Sequence, residues 1–444
     1  MKKLQYEFIF NFKKNEMKKF TLMLAMSCIG AVLTAQPVAT SLWEFSQAKG
    51  TLPTYIGTAN ACRGIGFGTF ESEKVLVVPT RALSPAAVLV LKASDGTQKA
   101  SLNMTGVSGG TFAINDANIT TDGKILVCNL ANSSANNVFQ VYQWKNSTDA
   151  PTLAIQYTIP TADVTRRYGD YFNATGSIAD GTAKIYASSY AVVSGTRDIR
   201  RFSMIADTNN PGSYVFNSVP DVFPITPTYL SNSMASLAFF PNGTFAYKGP
   251  GEQVRKLDTN MALTGDTIPK NAISTFSISP EYVTTVGTSE YLACYNYGQP
   301  TEFASIVRIN NGDWANATSV LVTPTLGTNA NANGCGRVLA DEDAGNLYLY
   351  VFGTNNGIAK YQINGIISGV NDIENENIKI IYQSGALSVE GVNASGIEVY
   401  NTLGQLVKSQ INVNQINVGD LEGVYIIQIK ADGKLAKTAK VIID

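Results

Sequence analysis

The sequence predicts an all-β protein: a β-propeller of about six blades, closed by its own N-terminal segment and followed by a small Ig-like β-sandwich. Three observations predict it. Charged residues make up only 15% of the 444 and Gly is abundant at 38, a mix that favours strands joined by polar turns. One strand–turn–strand unit recurs from Arg63 to Ile363. Residues 377–444 then break into short alternating strands of their own. An apolar fraction of 45% is ample for a core, which excludes general disorder.

The N-terminus reads as an address. Met17 to Ala35 is MKKFTLMLAMSCIGAVLTA, with Lys18 and Lys19 as a basic start, an apolar run from Phe20 to Leu33 and a small residue, Ala35, suited to cleavage. The run is shorter than the roughly 20 residues that span a bilayer, so residues 1–35 are expected to be a signal peptide. No other segment of the mature chain is long and apolar enough to cross a membrane. The leader holds six Lys and two Glu, so the remainder carries a net charge of −5. That mild acidity, with no Lys/Arg run, argues against nucleic acid.

The body, residues 36–366, repeats. Its units are GIGFGTFESEKVLVVPT (64–80), INDANITTDGKILVCNLA (114–131), FNATGSIADGTAKIYASSY (172–190), MASLAFFPNGTFAYKG (234–249), STFSISPEYVTTVGTSEYLACYNYG (274–298) and GRVLADEDAGNLYLYVFG (336–353). Asp122-Gly123, Asp180-Gly181 and Asn242-Gly243 are hairpin turns, where Gly accepts positive φ. A third strand follows each unit, and in several a weaker fourth, such as Gln98–Met104 and Leu153–Ile159. The segment 41–56, SLWEFSQAKGTLPTYI, is expected to complete the blade begun by residues 336–363, which would leave no free sheet edge. Two tandem sandwiches are the alternative, but they do not need the same unit six times.

The run from Leu42 to Gly68, with LWEFSQAKGTLPTYI and then RGIGFG, resembles a family of secreted propeller-like domains of unknown function. Arg167-Tyr168-Gly169-Asp170, followed by Phe172 and Gly176, agrees with it. The resemblance covers about residues 40–365 and implies no activity.

Residues 367–376 read as a polar linker, and 377–444 as the sandwich. Ile397/Val399 and Val424/Ile426 alternate as half-buried strands do. IEVYNTLGQLVK (397–408), INVGDLEGVYIIQI (416–429) with Gly423 and Tyr425, and then Lys437 and Lys440-Val441-Ile442 resemble the C-terminal sorting domain of type IX secretion cargo. Two features depart from that pattern: Ile381-Tyr382-Gln383-Ser384 replaces the usual Tyr-Pro-Asn-Pro, and the chain ends in Asp444 rather than a basic residue. The resemblance implies a Gram-negative protein delivered through the periplasm by the type IX machinery, then surface-attached or released.

The chemistry is constrained by an absence: there is no histidine, which removes Ser-His-Asp, Cys-His and His-metal mechanisms together. No metal or other cofactor is expected. Cys62 and Cys335 open the first strands of the first and last blades, neighbours in a closed ring, and are expected to lie close enough for a disulfide; buried free thiols are the alternative. Cys128 and Cys294 fall in blades too far apart to bridge. Asp341-Glu342-Asp343 is expected to be a solvated loop, and Asp116, Asp170 and Glu302 would form a glycosidase pair only if the fold juxtaposed them. Asp266-Thr267-Ile268 fits a short bacterial O-glycosylation pattern.

Arg63, Asp116, Arg167, Tyr168, Asp170 and Arg337 all lie where first strands begin, at one end of the ring. They are expected either to bind an anionic or sugar ligand at the channel mouth or to lock neighbouring blades as ion pairs. In the first case Arg167 and Arg337 are removable without loss of stability; in the second their removal unfolds the ring. With no histidine and no paired-acid motif, the chain reads as a binding protein for a polysaccharide, glycopeptide or protein before it reads as an enzyme. A carboxylate- or Tyr-dependent hydrolase or lyase and a structural adhesin are the alternatives.

Overall fold

A computed structural model describes residues 37–132, 136–160, 166–191, 197–225, 235–299, 301–366, 378–401, 405–431 and 434–443. The expected signal peptide and linker lie outside them. Every regular element among the described residues is a strand.

Among the described residues the ring consists of six antiparallel sheets in chain order. Their first strands are Gly66–Phe70, Phe112–Ile119, Arg166–Thr175, Ser236–Phe239, Ser277–Val286 and Gly336–Asp343, and each meets the first strand of the next blade in sequence. Val38–Ser46 pairs with Gly357–Asn364 and supplies the outermost strand of the sixth blade, as the segment 41–56 predicted. The third blade differs from the others. Its outer strand is split into Tyr214–Phe216 and Asp221–Ile225, both paired with Arg197–Ala206.

Period two explains why these sequences make blades. In the second strand of the first blade, Val75 and Val77 pack into the seam with the second blade, while Leu76 and Val78 pack into the seam with the sixth. Ile125 and Val127 likewise face the first blade, and Leu126 and Cys128 the third. A sheet buried on both faces therefore reads as a nearly unbroken apolar run. Each such side chain contributes about 1.5–3 kcal/mol on burial. Six apolar clusters fill the six seams, including the one that joins Tyr350, Phe352 and Ile358 back to the first blade.

The first blade's inner strand is made of alternate glycines for a reason. A Cβ on Gly66 would lie 2.9 Å from the Ala117 backbone, and one on Gly68 would lie 2.9 Å from the Ile119 side chain. The missing side chains let the two inner strands approach. At the seam of blades six and one, Lys74 pairs with Asp341 at 2.7 Å and with Asp343 at 3.3 Å, so part of the expected solvated loop is an inter-blade tie.

The C-terminal region is a two-sheet sandwich. Lys379–Gln383, Ala386–Glu390 and Gln415–Asn417 form one sheet; Leu406–Ile411, Gly396–Asn401, Gly423–Ala431 and Lys434–Ile443 form the other. Leu387 and Val389 meet Ile397, Val399, Ile427 and Ile429 in its core. Gly423 opens its strand at φ +114°, a conformation that glycine favours. Tyr425 pairs with Val441 and Lys440 with Ile426, while Lys437 donates to the Ile378 carbonyl at 2.6 Å and ties the two sheets together.

Candidate functional site: the polar end of the ring

First strands begin, and second strands end, at the same end of the ring. There the blades bury Arg63, Asp116, Asp170, Lys248, Glu252, Glu302 and Arg337, whereas the opposite end carries the Asp122-Gly123, Asp180-Gly181 and Asn242-Gly243 turns. A buried charge survives only if it is paired and hydrogen-bonded. The partners therefore show what each charge is for.

The deepest pair closes the channel. Arg337 of the sixth blade donates through Nη2 to Asp116 Oδ2 of the second blade, and also to the Phe172 carbonyl of the third at 2.8 Å. Asp116 Oδ2 also accepts from the Phe172 amide at 3.0 Å. The Arg337 guanidinium carbon lies 5.0 Å from the Tyr171 ring centroid. Tyr171 Oη donates to the Gly336 carbonyl at 2.9 Å and accepts from the Gly336 amide at 3.0 Å. Blades three and six stand opposite one another in a ring of six, so these contacts span the centre. Burial raises the Asp116 carboxyl; Arg337 and the Phe172 amide pull it back, and the balance stays above the ordinary value. Gly64 has to be glycine here, because a Cβ would fall 2.0 Å from Asp116 Oδ1.

Above this plug lies a second layer. Arg167 grips Asp170 with two parallel bonds, Nε to Oδ2 at 2.5 Å and Nη2 to Oδ1 at 2.6 Å. Arg63 Nη1 stands 3.9 Å from Asp170 Oδ1, and its Nε donates to the Asn60 carbonyl at 3.3 Å. Arg81 donates through Nη1 to the Ile114 carbonyl and to Asn115 Oδ1, both at 3.0 Å, and stacks 3.7 Å from the Phe112 centroid. Burial, and then the Arg63 charge, pull the Arg81 guanidinium down to about 10. Burial works against the Arg167 charge, but Asp170 more than offsets it and the net shift is upward. Arg63 and Arg167 thus share one carboxylate, and Arg81, bonded to Asn115 and to backbone carbonyls, adds its charge beside Arg63. Arg63 Nη1 has no hydrogen-bond partner among the described residues, and a quarter of the Arg167 side chain is open to solvent.

Of the six residues expected at the mouth, five come together. Tyr168 does not. Its ring is buried between the second and third blades, 5.8 Å from Phe139 and 6.0 Å from Tyr157, with Arg200 over it at 5.7 Å. A bulge between Tyr168 and Phe172 places its side chain in the seam while Asp170 serves the mouth. The two arginines differ in depth: Arg337 is sealed in an inter-blade ion pair, and Arg167 is partly open to solvent. Arg81, Asn60 and Phe112 escaped the sequence reading. Arg81 directly follows the second strand Glu73–Thr80, and that position was its available signal.

The three carboxylates considered as a catalytic pair are each committed elsewhere. Asp116 holds Arg337, Asp170 holds Arg63 and Arg167, and Glu302 accepts from Tyr295 Oη and, at 3.2 Å, from Asn331 Nδ2. Burial pushes Glu302 up to about 7 against those hydrogen bonds. The expected Cys62–Cys335 disulfide is not formed. Both are buried thiols outside any disulfide, their backbones joined through Thr354, which donates its hydroxyl to the Cys62 carbonyl at 2.9 Å and its amide to the Cys335 carbonyl at 3.3 Å. Cys128 and Cys294 are free in separate seams.

Residues 374–444 match the family described as the secretion system C-terminal sorting domain. The C-terminal sandwich is a type IX sorting domain. This cargo is therefore exported by type IX secretion to the cell surface or extracellular space of Gram-negative Bacteroidetes. Residues 16–219 match a domain of unknown function (DUF4623). No curated protein matches the chain. Among solved structures, the type IX cargo is similar to the pyrroloquinoline quinone-bound aldose sugar dehydrogenase of Streptomyces coelicolor, at 12% identity and TM-score 0.41 over 74% of this chain and 99% of that one. It is also similar to a member of another uncharacterised family from Bacteroides vulgatus, at 11% identity and TM-score 0.39, again over 74% and 99%. A xylose complex of a family 43 glycoside hydrolase from Xanthomonas citri follows at 11% identity and TM-score 0.32, over 74% and 91%. At these scores the likeness carries no argument about chemistry.

Proposed function

We propose that this type IX cargo is an exported binding protein whose channel mouth takes an acidic ligand, a carboxylated or sulfated glycan. One observation carries the reading: Arg63 and Arg167 share the single carboxylate of Asp170 with the Arg81 charge beside Arg63, Arg63 Nη1 lacks a hydrogen-bond partner among the described residues, and Arg167 is reachable from solvent. Guanidiniums in excess of carboxylates favour a planar anion, which accepts forked hydrogen bonds. The closed channel gives that site a rigid floor. Binding is favoured over hydrolysis because Asp116, Asp170 and Glu302 are each buried and bonded to their own partners.

Affinity gel electrophoresis with polygalacturonate tests the reading. The wild-type protein is expected to be retarded in a salt-sensitive way, and Arg167→Ala to migrate freely. Equal retardation of the two would place the acidic site elsewhere. Deleting residues 374–444 is expected to leave the protein in the periplasm of its native host, as fractionation and immunoblotting would read; display of the truncated chain at the surface would overturn that expectation.

A further inference from the structure

A second cavity lies at the other end of the ring and on its rim, between the outer strands of the second and third blades. Its volume is about 810 Å3, within the ~300–1,000 Å3 typical of small-ligand sites. The split outer strand of the third blade creates it. Where the other blades run one outer strand, this one inserts the Asp207–Ser213 loop and the short strand Tyr214–Phe216 beside the second blade's Thr152–Thr158.

Tyr214 is held open in this cavity. Among the described residues only Tyr214 and Phe276 are exposed aromatic rings, at 39% and 49%. The Tyr214 ring rests on the Asp180-Gly181 turn, where a Cβ on Gly181 would lie 2.5 Å from both Cδ1 and Cε1. Gly181, at φ +75°, thus serves both the turn and the ring above it. Leu153, 42% exposed, lines the same cavity.

The polar lining is balanced in charge. Asp122 already accepts from the Ile178 and Ala179 amides at 3.1 and 3.2 Å. Asp207 accepts from the Asn209 amide at 2.8 Å and from Asn210 Nδ2 at 2.7 Å. Lys124 and Lys145 line the cavity and have no ion-pair partner among the described residues. A fixed, exposed ring, an apolar wall and donors of both ammonium and amide type suit a ligand with one C–H face and a rim of hydroxyls.

We propose that this rim cavity is a saccharide-binding site that stacks a pyranose of a neutral polysaccharide on Tyr214, separate from the acidic mouth. Affinity electrophoresis of the full protein through hydroxyethylcellulose, xylan and mannan gels tests it. At least one neutral polymer should retard the wild type. Tyr214→Ala should weaken that retardation about tenfold. Tyr214→Phe, which keeps the ring, should preserve it, and so should Arg167→Ala. Lys145→Ala, at an exposed position, should weaken it without altering thermal unfolding, so the test survives if Tyr214→Ala fails to fold. The proposal is overturned if no neutral polymer retards the protein, if Tyr214→Ala and Lys145→Ala bind as wild type, or if the rim variants lose polygalacturonate binding instead. Failure of the acidic mouth alone leaves these neutral-gel outcomes unchanged.

Discussion

Two arginine–aspartate pairs stand at the same end of this ring, and they have different physics. Arg337–Asp116 is sealed, with side-chain exposures of 2% and 0%; Arg167–Asp170 has the same chemistry, but its arginine is 25% open. The sealed pair draws together the second, third and sixth blades and stops the channel. The open pair has Arg63 and the Arg81 charge close by, and on our proposal it is where a ligand would enter. Residue type is the same in both, so it is depth that distinguishes the two pairs.

The largest expected effect is at the sealed pair. Arg337→Ala leaves the Asp116 carboxylate buried without its cation, and should cost about 3–5 kcal/mol, read as a fall in the urea midpoint. Replacing both partners by apolar residues, Arg337→Met with Asp116→Leu, should recover most of that loss. If the single variant is as stable as wild type, the pair is not a strut.

Gly64→Ala sharpens the same point. Its Cβ would meet Asp116 Oδ1 at 2.0 Å, so the carboxylate must move off Arg337. An overpacking cost of about 1–3 kcal/mol is expected. An unchanged midpoint would mean that the plug has slack.

Acidity probes the buried end as a whole. Glu302 is pushed up to about 7 by burial, so over the range from its ordinary value near 4.5 to about 7 the folded state holds more protons than the unfolded chain. Its contribution to stability is therefore full below the lower value and is lost as pH rises through the higher one. The melting temperature should fall between about pH 5 and 8, and Glu302→Gln should flatten that slope. A slope identical to wild type would remove Glu302 from the account.

The smallest stability change is expected at the open pair. Arg167→Ala leaves Asp170 with Arg63 at 3.9 Å and lets solvent in where the partly exposed arginine stood, for a cost of about 1–2 kcal/mol. Its main effect should be on retention by acidic polymers. A loss as large as that of Arg337→Ala would erase the distinction between strut and site.

Much of the frame was legible in the residues. Val75–Val78 and Ile125–Leu130 announced strands, and Asp122-Gly123 and Asn242-Gly243 announced their turns. Trp43 and its neighbours predicted the closing strand, which Val38–Ser46 forms. Tyr168 was misplaced because the bulge after it changes which face a residue serves, and a bulge has no reliable sequence mark. Arg81 and Tyr214 were invisible for another reason. Their roles depend on Phe112 and Gly181, residues far along the chain that only packing brings near.

By itself, the sequence determined what is local and periodic: alternation of apolar residues, turn chemistry, the six-fold unit, and the Gly423-x-Tyr425 and Lys437 to Ile442 pattern of the sorting domain. Only the tertiary structure decided which of several similar charges faces water. That outcome is a matter of long-range desolvation. Asp116 and Arg337 are 221 residues apart, and nothing near either in the chain says that the other will neutralise it at the centre of the ring.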